Sequence, residues 1–477
     1  MEISKVQDLM NWQERLVGLE FENPIIDSWG QTLDFERMQK VFQTFGENGW
    51  DLERDYILGC VNKIEKNFGT DRVNLITDSG AGNLETAMPP QQNVQDAERL
   101  YTRMRSDILN VLEKHNLTIA GFALQPGTIP DMKKFLRRNA MYLALDALDS
   151  SDLYANLTST AISAHQAGVG VRLEETIDYA NEIIKITGLI VALCANSPIY
   201  NFQILPWKEW RILVIGFLRL VVNTAQFNES CGFPKRPYQS IADYLKYYWQ
   251  KPWMILPPIC EGKWILPDKK MNFLEYFSQS RVSAYDLEGN SVELVPNPDD
   301  LNWAMLCNWP HAKPHIILDP KKITVREFMD NFQKDTLEEY LEGKVVNCYL
   351  ECRAGAAAPV GEEMAIPALM LGLVNNIDGV KEITKLYSWK EWNNLVFEAA
   401  AKGMKAKIKG DSVIPLLQNL VATAEEGLKK RNFSEEKYLE PMMSRIQNRK
   451  NPADVNIELF RRSKKEFLDH ITYKLMS

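Results

Sequence analysis

Val17-Gly18-Leu19-Glu20-Phe21-Glu22-Asn23-Pro24 alternates apolar and polar side chains, the period-two mark of a half-buried β-strand. Val17, Leu19 and Phe21 turn to one face, while Glu20 and Glu22 project together from the other. Pro24 lacks the N–H that a ladder needs and is expected to end the strand. Residues 1–17 carry apolar positions at helical spacing and predict a short helix leading into it. Two carboxylates side by side on one strand face repel each other. Either water screens them on an exposed face, or a cation or basic partner holds them together.

Outward from this strand, Asp34–Phe45 and Asp51–Gly59 read as helix, and Arg72–Thr77 and Leu84–Ala87 as strands around the turn Ser79-Gly80-Ala81-Gly82. Asn93–His115 is a long helix. Strands are expected at Leu117–Leu124, Asn156–His165 and Trp253–Pro257, near 303–307 and at 346–352. Helices are expected at Glu174–Cys194, stopped before Pro198, and around Trp207–Thr224. A Pro/Asn/Asp-rich loop covers 288–300, Thr324–Gly343 is charged and helical, and the chain is almost wholly helical from Ile366 on. Hairpins among helices of varied length indicate an α+β fold, a mostly antiparallel, curved sheet flanked by helices. The expected division is a catalytic domain over 1–385, with an insertion at 316–345, and a helical extension over 386–477 packed on it.

Composition narrows the function. A net charge of −8 over 477 residues does not suit a general nucleic-acid binder, which needs a basic face to displace counterions. A small anionic substrate can still be held by local Arg and Lys. The start, Met-Glu-Ile-Ser-Lys-Val-Gln-Asp, lacks the basic and apolar regions of a signal peptide. The most apolar stretches, 186–195 and 212–222, fall short of the roughly 20 residues of a membrane span. A cytoplasmic protein without nucleic-acid or membrane partners is expected. Seven cysteines with no CxxC pair agree with reduced thiols. Cys348 and Cys352 share a strand face but lack two further ligands for zinc.

Two further acidic groups stand out. Asp78 and Glu85 flank the turn at 79–82, and Glu351 and Arg353 share one face of the strand Tyr349–Arg353. An acid beside an arginine is either an ordinary ion pair or the wall of a phosphate pocket, and the small residues 354–358 let backbone approach closely. An enzyme that activates a carboxylate with ATP needs several acids to hold Mg²⁺ against phosphate oxygens, and cations to meet transferred charge.

The order of these pieces resembles the glutamate–cysteine ligase family, particularly its plant and bacterial branch within the glutamine synthetase-like superfamily, over about residues 15–380. Gly18–Glu22 is similar to the family's opening Gly-x-Glu-x-Glu strand, and Ile76–Pro90 to its next acidic element. Gly121-Phe122 and Ile129–Lys134 follow in order, and Thr158–His165 resembles a Thr-rich, substrate-lining strand. Ala192-Leu193-Cys194-Ala195-Asn196-Ser197-Pro198 resembles the family's Ala-x-x-Ala-Asn-Ser-Pro, the most specific local match, and Tyr349–Arg353 its Leu-Glu-x-Arg strand.

The resemblance implies a glutamine synthetase/guanidino kinase-like catalytic core that uses ATP and Mg²⁺. It implies ligation of the glutamate side-chain carboxylate to an amine, cysteine in the family, through an acyl phosphate. Carried over, Glu20, Glu22, Glu85 and Glu351 become Mg²⁺ ligands with Asp78 beside them, and Arg353 and Glu351 become catalytic. Arg353, Lys133 and Lys134 face the nucleotide, while Arg211, His165, Ser163 and Lys313 face the substrate. Surface lysine and satisfied core histidine remain open readings for Lys133, Lys134 and His165. Loops near 80–83 and 288–300 are expected to close over the site.

There are departures from the family. Trp309-Pro310-His311-Ala312-Lys313 stands where the family often has Phe-Pro-Glu-Val-Arg, so a lysine replaces a bidentate arginine. Ala356 replaces an acid, and the glutamine and asparagine of the Thr-rich strand are replaced around Ile162–His165. The amine is therefore open: cysteine, or another amine of a specialised pathway. A non-catalytic descendant that binds nucleotide or a protein partner, and a plain helical interaction protein, are the readings of a different class.

Overall fold

The computed structural model describes residues 15–78, 80–129, 132–135, 140, 161–213, 231–251, 259–260, 263–269 and 271–474. Nine strands form the central sheet: β1 (Val17–Ile26), β2 (Asp51–Arg54), β3 (Val61–Phe68), β4 (Asp71–Thr77), β5 (Asn83–Gln91), β6 (Thr118–Ile119), β7 (His165–Gly170), β8 (Ala312–Leu318) and β9 (Val345–Cys352). Their order is β8-β9-β7-β1-β5-β4-β3-β2, with β6 beside the end of β1. Every pairing in it is antiparallel. The fold is α+β, as the alternation of β1 and the later hairpins predict.

The register gives the sheet two faces of opposite character. Val17, Leu19 and Phe21 of β1, Ala167 and Val169 of β7 and Leu350 of β9 are buried on one face. Helices α1 (Val94–Glu113) and α2 (Ala365–Asn375) pack there. Asn93 caps α1 through its side chain, and Leu100, Met104, Ile108 and Val111 recur at helical spacing on its buried side. Each large apolar side chain so buried contributes about 2 kcal/mol. The opposite face carries Glu20, Glu22, Glu85, Gln166, Lys313 and Glu351, because Glu22 pairs with Glu85, Glu20 with Gln166, and Lys313 with Glu351. Beyond the sheet the C-terminal helices close on α2. Where Ile414–Arg431 crosses it, a Cβ on Gly427 would meet the Gly372 carbonyl oxygen at 1.9 Å, so only glycine permits the approach.

Several expectations are corrected. Strand β1 runs through Pro24: its missing N–H falls at the gap between β7, which pairs as far as Phe21, and β6, which starts at Ile25. Asp51–Gly59 is β2 and a turn, not helix. Val61–Phe68, with apolar residues at 61, 64 and 68, joins the sheet as β3 because sheet pairing overrides that near-helical spacing. Residues 303–307 fall largely in a helix, Pro298–Leu306, capped by Asn297 with proline in its first turn. Part of the supposed loop at 288–300 is the strand Ser291–Leu294. The helix Glu174–Cys194 breaks at Ile186 into Thr176–Lys185 and Thr187–Cys194. Of Leu117–Leu124, only 118–119 pairs as a strand, and β7 begins at His165, where the expected strand ends. Ile316–Leu318 is paired within β8, and the helices Val325–Lys334 and Leu337–Leu341 lie between β8 and β9. The expected helix up to residue 14, the strand Trp253–Pro257 and the helix beyond Leu213 lie outside the described residues.

Candidate active site

The acids of β1 converge with Glu85 of β5. One carboxylate oxygen from each of Glu20, Glu22 and Glu85 lies within 4.8 Å of the other two. Glu22 is buried, and Glu20 and Glu85 are half-buried. Gln166 Nε2 donates to Glu20 Oε1 at 2.9 Å and to Glu22 Oε1 at 3.1 Å, and the Ala164 N–H donates to Glu22 Oε2 at 2.9 Å. Burial, then the neighbouring Glu351, pushes the Glu20 carboxyl up to about 7. Burial, then Asp78 and Glu20, pushes Glu22 up to about 8. Asp78 lies just after β4, and its N–H donates to the Asn83 carbonyl. It adds negative charge to the group without belonging to the set of three.

Across β7 the balance reverses. Glu351 of β9 forms an ion pair with Arg353, and its Oε2 lies 2.5 Å from His315 Nε2. Burial alone would raise this carboxyl, but Arg353, His315 and Lys313 hold it well below the usual carboxylate range. The His315 ring stacks on Tyr349, with centroids 4.2 Å apart. Lys313, its ammonium pKa lowered by burial, donates from Nζ to the Leu306 carbonyl at 2.9 Å. Glu351 thus stands apart from the three convergent acids, with both oxygens engaged by side chains.

The motif 192–198 holds backbone. Asn196 Nδ2 donates to the carbonyls of Gly121 (3.1 Å) and Ala357 (2.7 Å), and the Asn196 N–H to Glu209 Oε2 (2.8 Å). Ser197 Oγ accepts from the N–H groups of Trp210 and Arg211. Arg211, 2 % exposed, donates from Nη2 to the carbonyls of Arg353 (3.1 Å) and Ala354 (3.0 Å). Its guanidinium braces the segment after β9, where the sequence suggested a fork for a substrate carboxylate.

His165 points to the apolar face. It stacks on Phe21 at 4.0 Å, and its Nδ1 accepts from the Ala358 N–H. Burial pushes its pKa down to about 3, so it is a neutral core histidine and does not face the polar side of the sheet. Ser163 is fully buried and donates to Asn83 Oδ1 at 2.6 Å.

Lys133 and Lys134 lie on the short helix Met132–Phe135. Lys134 is exposed, and the side chain of Lys133 lies outside the described residues. That helix reaches the turn before β5: the Ala81 N–H donates to the Phe135 carbonyl, and Gly80–Asn83 is buried. The turn is thus buried and pinned where a closing loop was expected. The side chains that the sequence reading passed over are Gln166 and His315. For Gln166 the available signal was a polar residue heading the small, apolar run 167–170.

The acidic group suits a hard divalent cation. Mg²⁺ takes carboxylate, carbonyl and water oxygens, and a divalent charge would offset the burial and like charges that push Glu20 and Glu22 up. Arg353, on the same side of the sheet, is the cation nearest in register to the glutamates. Among the described residues, no helix is long and apolar enough to cross a membrane.

Residues 17–246 match the family model described as Glutamate-cysteine ligase family 2 (GCS2). A 131-residue stretch is 24% identical to the chloroplastic glutamate–cysteine ligase of Solanum lycopersicum. It covers 27% of this chain and only 25% of that enzyme's length. Among solved structures, glutamate–cysteine ligase of Francisella tularensis in complex with AMP superposes with a TM-score of 0.55 at 12% identity, over 97% of this chain and 90% of that one. A bifunctional glutathione synthetase of Pasteurella multocida gives 0.50 at 11% identity, over 98% of this chain and 51% of that one. At such identities the likeness is one of fold.

Proposed function

Residues 17–246 belong to the glutamate–cysteine ligase family, and on that premise we propose that the protein is an ATP- and Mg²⁺-dependent carboxylate–amine ligase. It joins the side-chain carboxylate of glutamate to the amino group of cysteine, giving a γ-glutamyl amide. The observation that carries this reading is the convergence of Glu20, Glu22 and Glu85 on the face that also presents Arg353.

In this reading Glu20, Glu22 and Glu85 would hold Mg²⁺, which when bound would supply positive charge against the phosphates. Glutamate's carboxylate attacks the γ-phosphate, ADP leaves, and the amine displaces phosphate from the γ-glutamyl phosphate. Arg353, fixed by Glu351 and by Arg211 bonded to its carbonyl, meets charge on the transferred phosphoryl group. Glu351 sets the direction of that guanidinium through their ion pair. The buried walls at Gly80–Asn83 and Ala354–Ala358 keep water from the acyl phosphate. The catalytic unit is 1–385, with 386–477 as its helical extension. The setting is the cytoplasm, with the chloroplast, named for the tomato relative, as the competing compartment.

A second reading keeps the chemistry and changes the amine. It is favoured by Lys313, whose single ammonium is committed to the Leu306 carbonyl in a place where a planar guanidinium would offer two parallel donors. Purified protein incubated with Mg-ATP, glutamate and a panel of amines, followed by ADP release and product mass, decides between them. A γ-glutamylcysteine mass establishes the first reading, and a different amide establishes the second. No ADP release with any pair refutes ligase activity on glutamate.

A further inference from the structure

Gln166 lies between the two charged regions of the polar face. On β7 it pairs with Glu20, and on its other side Arg353 follows Cys352, the partner of Ala167. The side chain is 1 % exposed. Both of its N–H bonds go to acids, at 2.9 Å to Glu20 Oε1 and 3.1 Å to Glu22 Oε1. Its own Oε1 is buried and has no hydrogen-bond partner among the described residues.

A buried amide oxygen without a partner is costly and uncommon. Satisfying Oε1 by turning the amide over would set an oxygen against both carboxylates and lose two charge-assisted bonds. The amide's orientation is therefore set by the two glutamates alone. In return one NH₂ group ties together two acids that repel each other. Ala164 N–H fixes the second oxygen of Glu22 from the backbone, so Glu22 is held at both oxygens and Glu20 through Gln166.

We propose that Gln166 is the positioning residue of the cation site, holding the carboxylates of Glu20 and Glu22 in the one arrangement that receives a divalent metal together with Glu85. It acts through those glutamates, and the inference rests on the reading of that trio as the cation site. Partners of this kind set ligand orientation, and their loss costs about 10- to 100-fold in metal affinity.

The test is Mn²⁺ titration of the full-length protein, without nucleotide, for the wild type and Gln166→Leu, which removes both donors at similar volume. The dissociation constant should rise by about 10- to 100-fold. The Mg²⁺ concentration for half-maximal ADP release should rise in step, and turnover at saturating Mg²⁺ should return to within about 3-fold of wild type, because the ligands themselves remain. If Gln166→Leu does not fold, Gln166→Asn replaces it: the arm, one methylene shorter, cannot span both acids, and the same loss of affinity is expected. Unchanged Mn²⁺ affinity with lost turnover overturns the role of Gln166 and leaves the cation site standing. Absence of Mn²⁺ binding in the wild type overturns both.

Discussion

Glu22 and Glu351 stand on the same face of one sheet, on the two strands that flank β7, and both are buried. One carboxyl is driven up to about 8 and the other held far below its usual range. Burial acts on both in the same direction, so the difference lies in company. For Glu22, burial and the like charges of Asp78 and Glu20 outweigh Arg353 and Arg211, whereas for Glu351 the charges of Arg353, His315 and Lys313 outweigh burial. At one end of the face acids and burial prevail, and at the other the cations do. A binding site and an ion pair can thus be built from the same residue type at the same depth.

The sharpest way to break this contrast is Glu22→Gln. Removing a carboxylate from the cation-deficient end should cut ADP release by about 100- to 1000-fold. Melting temperature should hold or rise, since a buried like-charge repulsion is relieved. A large drop in melting temperature would show that Glu22 serves the fold instead.

At the balanced end the order inverts. Arg353→Met strands Glu351 beside two remaining partners and should cost about 3 kcal/mol in chemical denaturation. The double variant Arg353→Met/Glu351→Met should recover most of it, because no unpaired buried charge remains. Additive losses would mean that the pair is not coupled.

A third glutamate calibrates the comparison away from the site. Burial alone would raise Glu175, but Arg15, the Arg172 N–H and the Arg172 guanidinium hold it at about 2. Its folded pKa lies below its unfolded value of 4.5. Its contribution is therefore present above about pH 4.5 and is lost as pH falls toward 2. Arg15→Ala should shrink that acid-side loss by about 1 kcal/mol in denaturation curves taken across this window. An unchanged acid limb would remove Arg15 as the partner that matters.

Much of this was legible in the chain. The alternation at 17–22 gives strand, face and paired acids at once, since side-chain direction along a strand is fixed by covalent geometry. The hairpin around 79–82 and the long helix from 94 followed from turn residues and apolar period. The sequence assigns no element to Val61–Phe68, because its apolar residues at 61, 64 and 68 do not alternate, and only pairing with β2 and β4 makes it a strand. For His165 the sequence leaves substrate contact and core histidine both open, and the fold selects the core, because β7 sets odd positions of 165–170 against the apolar face.

By itself, then, the sequence determined which acids share a strand face and which segments alternate, for these depend on neighbours one to four residues away. Which acids meet a cation and which meet each other was decided by tertiary structure. Gln166 reaches Glu20 across 146 positions and His315 reaches Glu351 across 36. Those contacts come from strand order and register, which are set by the burial of the opposite, apolar face. The charges on the polar face occupy the places that this packing assigns to them.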